Sequence, residues 1–246
     1  MSRLVTGAGY VASISRRRSD RHARAAFQSL ALRLVAPGAL LFDFGAGPGT
    51  DAQYYARHGL RVGAYDVDPQ MCAYFDATCR AEIEAGLVAL HTGPYEQFLA
   101  ADPLRYGRDV ALVTANFAPL NLVADLGPLF RSFHAMTAAD GRILASVLSP
   151  YFVGDLSYGW WWRNLGRLLR AGCFEVAGPD ATVVRRSLAR FAAQAAPYFT
   201  LAGVWPAQRR IRLPAPAGPA PVRTRGRWQP LLATRRYMFL LFEKSR

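Results

Sequence analysis

The sequence predicts an α/β fold: a doubly wound, seven-stranded, mostly parallel sheet with helices on both faces and an α-helical, aromatic cap insertion. Short apolar runs typical of buried strands alternate with segments whose apolar residues recur at helical spacing. Such alternation favours parallel strands joined by crossover helices. The first run, Leu40–Phe44, leads into a turn with glycines at alternate positions, Gly45, Gly47 and Gly49. A chain of 246 residues can bury the core of one such domain.

The first half of the chain is divided by apolar periodicity and by helix start and stop signals. Pro69 occupies the first turn of one helical segment, and Gly59 and Gly86 each follow the end of a helical segment. The elements predicted here are a helix over 21–34, a strand over 40–44, a helix over 50–58, a strand over 61–66, a helix over 69–85 and a strand over 88–91.

The second half continues the alternation but interrupts it once. Between Ser149 and Asp180 the pattern breaks, which predicts an insertion over the carboxyl edge of the sheet. The proline-rich segment 214–221 is typical of an extended loop, and the strand before it could reach Leu213. The predicted elements are a strand over 110–115, a helix over 123–136, a strand over 142–148, a helix over 187–196, and strands over 199–205 and 237–243.

The glycine turn is the strongest functional signal. A glycine lets the backbone approach a ligand closely, because it carries no Cβ. The helix that follows offers unpaired N–H groups. The second strand ends at Asp66, which lies 21 positions beyond Gly45. An acid at a spacing of about 20 binds ribose hydroxyls in nucleotide-binding βαβ units.

The spacing D-x-G-x-G-x-G, at Asp43, Gly45, Gly47 and Gly49, resembles motif I of the class I (Rossmann-like) S-adenosylmethionine-dependent methyltransferases. It differs from the dinucleotide fingerprint G-x-G-x-x-G. Segments 65–71, 109–117, 140–147 and 237–243 resemble further strands and loops of that family. The resemblance covers about residues 36–148 and the final strand. It implies a sheet order 3-2-1-4-5-7-6 with strand seven antiparallel, S-adenosyl-L-methionine as cofactor and S-adenosyl-L-homocysteine as product.

The resemblance also implies a cofactor site at the carboxyl ends of the strands. The glycine turn would cradle the methionine portion, and Asp66 would accept both ribose hydroxyls; a turn or helix cap is the alternative role for Asp66. Pro94 departs from the family pattern, where an acid often contacts the adenine amine. The residues expected at the cofactor are Asp43, Gly45, Ala46, Gly47, Gly49, Asp66, Val67, Met71, Tyr95, Glu96, Asn116 and Phe117.

The insertion is the best indication of the methyl acceptor. Its aromatic residues suit a planar or apolar acceptor; packing of the cap onto the sheet and a membrane-surface helix are the alternatives. A general base is needed only if the acceptor must lose a proton, and Tyr10, Asp155 and Tyr158 are the candidates. No metal is expected, because the four histidines are scattered. The residues expected at the acceptor are Tyr10, Tyr151, Tyr158, Trp160 and Trp161.

The net charge of +13 is concentrated at the ends of the chain. Residues 1–34 carry a net charge of +6, residues 207–246 carry +9, and residues 35–206 carry −2. An arginine-rich rim at the acceptor mouth would attract a carboxylate, a phosphate-bearing carrier or a nucleic acid. A solvated loop, or the arginine bias of a GC-rich genome, is the alternative explanation.

The chain is expected to form one methyltransferase domain over 1–246: an amino-terminal lid and helix (1–35), a cofactor-binding core (36–148), an acceptor cap (149–180) and the last two strands with the basic loop (181–246). The lack of a long apolar run, a signal peptide or paired cysteines indicates a cytoplasmic protein. The expected acceptor is a small aromatic or hydrophobic metabolite of secondary metabolism, either free or on an acidic carrier protein. An RNA methyltransferase and a non-catalytic, cofactor-binding partner subunit are the alternatives.

Overall fold

The computed structural model describes residues 18–178, 181–206 and 236–245. Tyr10, the expected lid before residue 18, the basic loop 207–235 and the extension of the sixth strand to Leu213 lie outside these residues. The helices are α1 Arg18–Arg33, α2 Thr50–Arg57, α3 Pro69–Thr78, α4 Arg80–Glu84, α5 Tyr95–Ala100, α6 Gly127–Met136, α7 Gly159–Ala171 and α8 Leu188–Ala195. The strands are β1 Leu40–Phe44, β2 Arg61–Asp66, β3 Val88–Thr92, β4 Val110–Ala115, β5 Thr137–Leu148, β6 Cys173–Ala177, β7 Thr182–Arg186, β8 Phe199–Pro206 and β9 Tyr237–Lys244.

Seven of these strands form one sheet in the order β3-β2-β1-β4-β5-β9-β8. Strand β9 runs antiparallel to both of its neighbours, and the pairs from β3 to β5 are parallel. If only the strands of this sheet are numbered, in chain order, β8 is the sixth strand and β9 is the seventh. The sheet order and the antiparallel last strand expected from the resemblance are therefore confirmed.

Helices cover both faces of the sheet, so side chains of one strand alternate between two apolar clusters. Phe42 and Phe44 point into one cluster, and Leu41 points into the other. Burial on both faces explains why the strands read as continuous apolar runs. The aromatic residues of α5, α6 and α8 that fill the first cluster are Phe98, Phe130, Phe133 and Phe191. Those of α1, α2 and α3 in the second are Phe27, Tyr55 and Phe75.

The single helix expected over 69–85 is wrong, because α3 ends at Thr78 and α4 begins at Arg80. The Gln53 side chain of α2 donates a hydrogen bond from Nε2 to the Thr78 carbonyl, at the last residue of α3. The Cys79 thiol at the break donates to the Gly49 carbonyl at 3.3 Å. Contacts from the glycine turn and α2 therefore bend the chain here, and local spacing does not encode them.

The helix expected over 123–136 begins later, at Gly127. Pro128 stands in the first turn of this helix and has no N–H for the Ala124 carbonyl, which fits a start at Gly127. The Arg186 guanidinium of β7 donates to the carbonyls of Val123 and Ala124 instead. Asp125 Oδ1 accepts the Gly127 N–H at 3.0 Å. Helix α5 was not predicted, and β5 begins at residue 137 instead of 142.

The insertion between β5 and the last helix is part helix and part hairpin. It contains α7, as expected, followed by β6 and β7, which pair antiparallel in a separate two-stranded sheet. The hairpin continues to Arg186, beyond the expected boundary at 180. Asn121 Nδ2 donates to the Val184 carbonyl at 2.7 Å, which fastens the hairpin to the segment after β4. No helix within the described part of the chain is long and apolar enough to cross a membrane.

Candidate functional site

In the glycine turn after β1, two glycines lie too close to other side chains to carry a Cβ, and the third faces open space. All three have positive φ angles, of 70°, 55° and 80° for Gly45, Gly47 and Gly49. A Cβ on Gly45 would lie 2.6 Å from Pro119 Cβ, and one on Gly49 would lie 2.8 Å from Cys79 Sγ. A Cβ on Gly47 would meet no atom within 4 Å. The turn therefore packs against the protein at its ends and leaves its middle open.

Asp66 ends the neighbouring strand and binds the middle of this turn. Its Oδ2 accepts the Gly47 N–H at 2.7 Å, and its Oδ1 accepts the Asp68 N–H at 2.9 Å. Burial raises the pKa of Asp66, and the two backbone donors oppose that rise. An ionised carboxylate offers about four acceptor positions, so each oxygen keeps capacity for another donor. The turn-capping role and a ligand-binding role are thus compatible at this residue.

The residues expected around adenine occupy different environments. Val67 is 55% exposed beside Asp66, whereas Met71 is buried in the first turn of α3. The Tyr95 ring packs against Phe44 and Phe98 inside the core. Its hydroxyl is buried and makes no hydrogen bond with the described residues, and burial raises its pKa. Glu96 is exposed on α5.

Asp43 is buried in β1, where Thr114 Oγ1 of β4 donates to its Oδ1 at 2.7 Å. Burial, and next the negative charge of Asp51, raise the pKa of Asp43 to about 7. The hydrogen bond from Thr114 and the positive charge of Arg24 act in the opposite direction. Asp43 therefore holds its proton more tightly than an exposed aspartic acid does.

Asp51, at the start of α2, joins three elements at the carboxyl edge. Arg24 Nη1 of α1 lies 2.7 Å from its Oδ2, and Gln28 Nε2 donates to its Oδ1 at 2.7 Å. Asn116 Nδ2 donates to Oδ2 at 3.0 Å. The Arg24 guanidinium also lies over the Phe117 ring, 4.7 Å from its centroid. The network orients both residues that were expected at the end of β4.

The sequence interpretation did not include Arg24, Gln28 and Asp51. A signal for the first two was present: they stand one helical turn apart, on the side of α1 that carries apolar residues such as Phe27. Polar side chains on a buried helix face need partners. The partner, Asp51, follows the glycine turn directly in sequence.

The aromatic residues of the insertion differ in how far they are buried. Trp161 is buried and donates from Nε1 to the Pro150 carbonyl at 2.9 Å, which fastens α7 to the end of β5. Trp160 is half-buried, and Tyr158 stacks on it with ring centroids 6.3 Å apart. Tyr151 is also half-buried, and burial raises its pKa. Tyr10 lies outside the described residues.

Asp155 pairs with an arginine that the sequence interpretation also missed. Its Oδ2 lies 3.3 Å from Arg185 Nη2 of β7. Burial raises the pKa of Asp155, and the positive charges of Arg185 and Arg236 oppose that rise. Arg185 Nη1 donates to the Ser149 carbonyl at 2.9 Å, and its guanidinium lies 5.9 Å from the Trp160 ring centroid. Over the described ranges, no three His, Cys, Asp or Glu side chains gather as a metal site would require.

No protein-family model matches the chain, and no curated protein matches it in sequence. Solved structures do match. They include 1,6-didemethyltoxoflavin-N1-methyltransferase of Burkholderia thailandensis, solved with 1,6-didemethyltoxoflavin and S-adenosylhomocysteine bound (17% identity, 100% of this chain and 94% of that chain covered, TM-score 0.58). An S-adenosylmethionine-dependent methyltransferase of Mesorhizobium loti matches at 15% identity, with 94% and 99% covered and a TM-score of 0.55.

A third similar structure comes from the complex between the Trm112 methyltransferase activator and a Haloferax volcanii protein (18% identity, 98% of this chain and 100% of that chain covered, TM-score 0.60). At these identities the similarity concerns the fold. The chain has the class I methyltransferase fold, as the resemblance of its motifs implied.

Proposed function

We propose that this protein is a methyltransferase that uses S-adenosyl-L-methionine and acts on a small aromatic or hydrophobic acceptor. The observation that carries the proposal is the pairing of Gly47 and Asp66. An open backbone turn faces a carboxylate with spare acceptor capacity, across two adjacent strand ends. Ligands of doubly wound sheets bind at this edge, beside the switch point between β1 and β4.

The residues present fit the cofactor. Gly45–Gly49 would hold the methionine portion, since a Cβ at Gly47 would enter the open space that the ligand needs. Asp66 would accept the ribose hydroxyls with the acceptor positions that Gly47 and Asp68 leave. Val67 and Met71 would flank the adenine. When bound, the cofactor supplies an electrophilic methyl group on a sulfonium.

The chain's own contribution is positioning and exclusion of water, which is how an in-line displacement is accelerated. Phe117 lies between the Arg24 guanidinium and the Tyr237 ring, whose centroid is 5.5 Å away. It is thereby held at the end of β4, next to the glycine turn. Of the three candidates for a general base, Asp155 and Tyr158 lie among the described residues. Burial raises the pKa of Asp155, which favours uptake of a proton, and the positive charge of Arg185 opposes that rise. Tyr158 is exposed.

The acceptor assignment draws support from the half-buried ring of Trp160 in the insertion. The similar structure of 1,6-didemethyltoxoflavin-N1-methyltransferase, solved with 1,6-didemethyltoxoflavin bound, also supports it. Large rigid rings offer contact area at low entropic cost. The alternative acceptor, RNA, would rely on the basic ends of the chain.

Methyl-labelled S-adenosylmethionine, purified protein and a lysate of the source cells test the proposal. The lysate is separated into organic-soluble, protein and RNA pools after the reaction. Label in the organic-soluble pool is the expected result, and Asp66→Ala should abolish it. Label that ribonuclease removes would replace the small-molecule acceptor with RNA. Absence of label in every pool, with the cofactor bound, would contradict catalysis by this chain alone.

A further inference from the structure

Arg185 projects toward the same edge of the main sheet as the proposed site. Side chains two positions apart on a strand share a face, and Val183 packs with Ala118, Leu148 and Tyr237 at the ends of β4, β5 and β9. Arg185 follows on that face and donates to the Ser149 carbonyl, directly after β5. The arginine thus borders a small apolar patch at the carboxyl edge.

The hydrogen-bonding capacity of Arg185 is only partly used. The side chain is almost fully buried, with 6% of the residue exposed. Of its five N–H groups, one donates to Ser149, and Nη2 approaches Asp155 at 3.3 Å. Nε has no hydrogen-bond partner among the described residues. Its neighbour Arg186 differs, because that guanidinium donates to three carbonyls, those of Leu120, Val123 and Ala124.

The local charge is also unbalanced. Burial lowers the pKa of Arg185 to about 10, so it remains a cation at neutral pH, and Arg236 adds a second positive charge nearby. Asp155 is the acid whose charge acts on both. Within the described ranges, the charges of these two guanidinium groups therefore act on one carboxylate, which forms an ion pair with Arg185. Buried charges are favourable only when they are paired and hydrogen-bonded, so this cluster is suited to receive a further anionic group.

The aromatic side chains around the Arg185 guanidinium indicate which chemical groups the rest of the ligand would carry. The Trp160 ring centroid lies 5.9 Å from the Arg185 guanidinium. Tyr237 packs on the apolar patch, and its ring meets the Phe117 ring edge to face. Phe117 follows β4, and β4 pairs with β1, the strand that leads into the glycine turn. A flat, apolar ligand bound at one end by Arg185 would extend toward Phe117 and the glycine turn.

We propose that the methyl acceptor is an aromatic carboxylic acid and that Arg185 binds its carboxylate, with Trp160, Phe117 and Tyr237 around its ring. This inference rests on the proposed function and names the acceptor class of the same site. An arginine fork matches a carboxylate in two parallel hydrogen bonds, which gives orientation as well as affinity.

Titration calorimetry on the protein saturated with S-adenosylhomocysteine tests the inference. The probes are benzoate, salicylate and 2-naphthoate, each compared with its neutral amide. We expect at least one acid to bind roughly tenfold or more tighter than its amide, since hydrogen bonds to charged groups contribute about 1.5–3 kcal/mol. Arg185→Gln should remove that preference, and Arg185→Lys should keep part of it as a point charge. Arg163→Gln, on the exposed face of α7, is the matched control and should bind as the unaltered protein does.

Equal binding of acid and amide, binding of no acid, or an unchanged preference in Arg185→Gln would overturn the inference. If Arg185→Gln does not fold, the acid-to-amide comparison and Arg185→Lys still decide it. Failure to bind S-adenosylhomocysteine would instead contradict the proposed function, so the two failures are distinguishable.

Discussion

Asp43 lies within β1, and Asp66 is the last residue of the adjacent strand β2, but the two side chains have different environments. Asp66 receives two backbone N–H groups, whereas Asp43 receives one hydroxyl and faces the charge of Asp51. Hydrogen bonds to the charged form favour ionisation, and burial or a nearby like charge opposes it. The first acid of the glycine motif is therefore the one that titrates near neutrality.

The raised pKa of Asp43 predicts a pH dependence of stability. A carboxyl that holds its proton more tightly when folded stabilises the fold fully below about pH 3.8, and this contribution is lost as the pH rises through about 7. Asp43→Asn keeps an acceptor for Thr114 but cannot ionise. Between pH 4 and 7 the free energy of unfolding should fall by a few kcal/mol more in the unaltered protein than in the variant, since one pKa unit corresponds to about 1.4 kcal/mol.

Urea unfolding at several pH values measures this difference. Asp102→Asn, an exposed acid at the opposite edge of the sheet, serves as the control. Parallel stability profiles for the Asp43→Asn variant and the unaltered protein would show that Asp43 is ionised throughout.

At the scale of elements, helix α1 is fastened to the site by the Arg24–Asp51 pair. The Asp51 side chain is nearly buried, and the Arg24 side chain is 16% exposed. Removal of one partner leaves the other charge buried without compensation. We therefore expect Arg24→Met to lower the free energy of unfolding by about 3 kcal/mol in urea titrations and to weaken S-adenosylhomocysteine binding.

Arg21→Met provides a matched control for that prediction, because Arg21 lies on the exposed side of the same helix. It should change stability by less than about 0.5 kcal/mol. Equal effects of the two substitutions would mean that the pair with Asp51 contributes no more than a surface contact.

Elements could be predicted from the sequence where local residues determine them, and not where contacts from distant elements do. Strands β1, β2 and β4 are buried on both faces, so their apolar runs identified them, and a short-range motif identified the glycine turn and Asp66. The break at Cys79 coincides with a contact from Gln53 of another helix, which the local sequence does not show. The late start of α6 agrees with Pro128 in its first turn, a local signal that the expected bounds did not use. Strand β7 was missed because it places two arginines where a buried strand usually has apolar residues. Arg185 was missed as a site residue for the same reason, and Arg24 was missed because its partner, Asp51, lies on another helix.

Across the whole molecule, most of the excess positive charge lies in residues 1–34 and 207–246, whereas the residues proposed to hold the cofactor lie between Gly45 and Met71. Residues 35–206 carry a net charge of −2, and the ends carry the excess. We expect S-adenosylhomocysteine affinity to change by less than about twofold between 50 and 500 mM sodium chloride, because the site's charges are buried and weakly screened. Calorimetry at both salt concentrations measures it.

RNA provides the contrast in that experiment. Any affinity of the basic ends for a 20-nucleotide RNA should fall more than about tenfold over the same range, because bound counterions are released. A cofactor affinity that fell in parallel with RNA affinity would place the cofactor site among the exposed arginines instead.

The most direct test of the central claim is calorimetric titration of S-adenosylhomocysteine into the unaltered protein and into Asp66→Ala. We expect one site per chain and a loss of about 100-fold or more in affinity for the variant, because the hydrogen bonds from the two ribose hydroxyls to the charged carboxylate disappear. Asp102→Ala should bind as the unaltered protein does. Undiminished binding to a folded Asp66→Ala variant, or no binding to the unaltered protein, would contradict the proposed site.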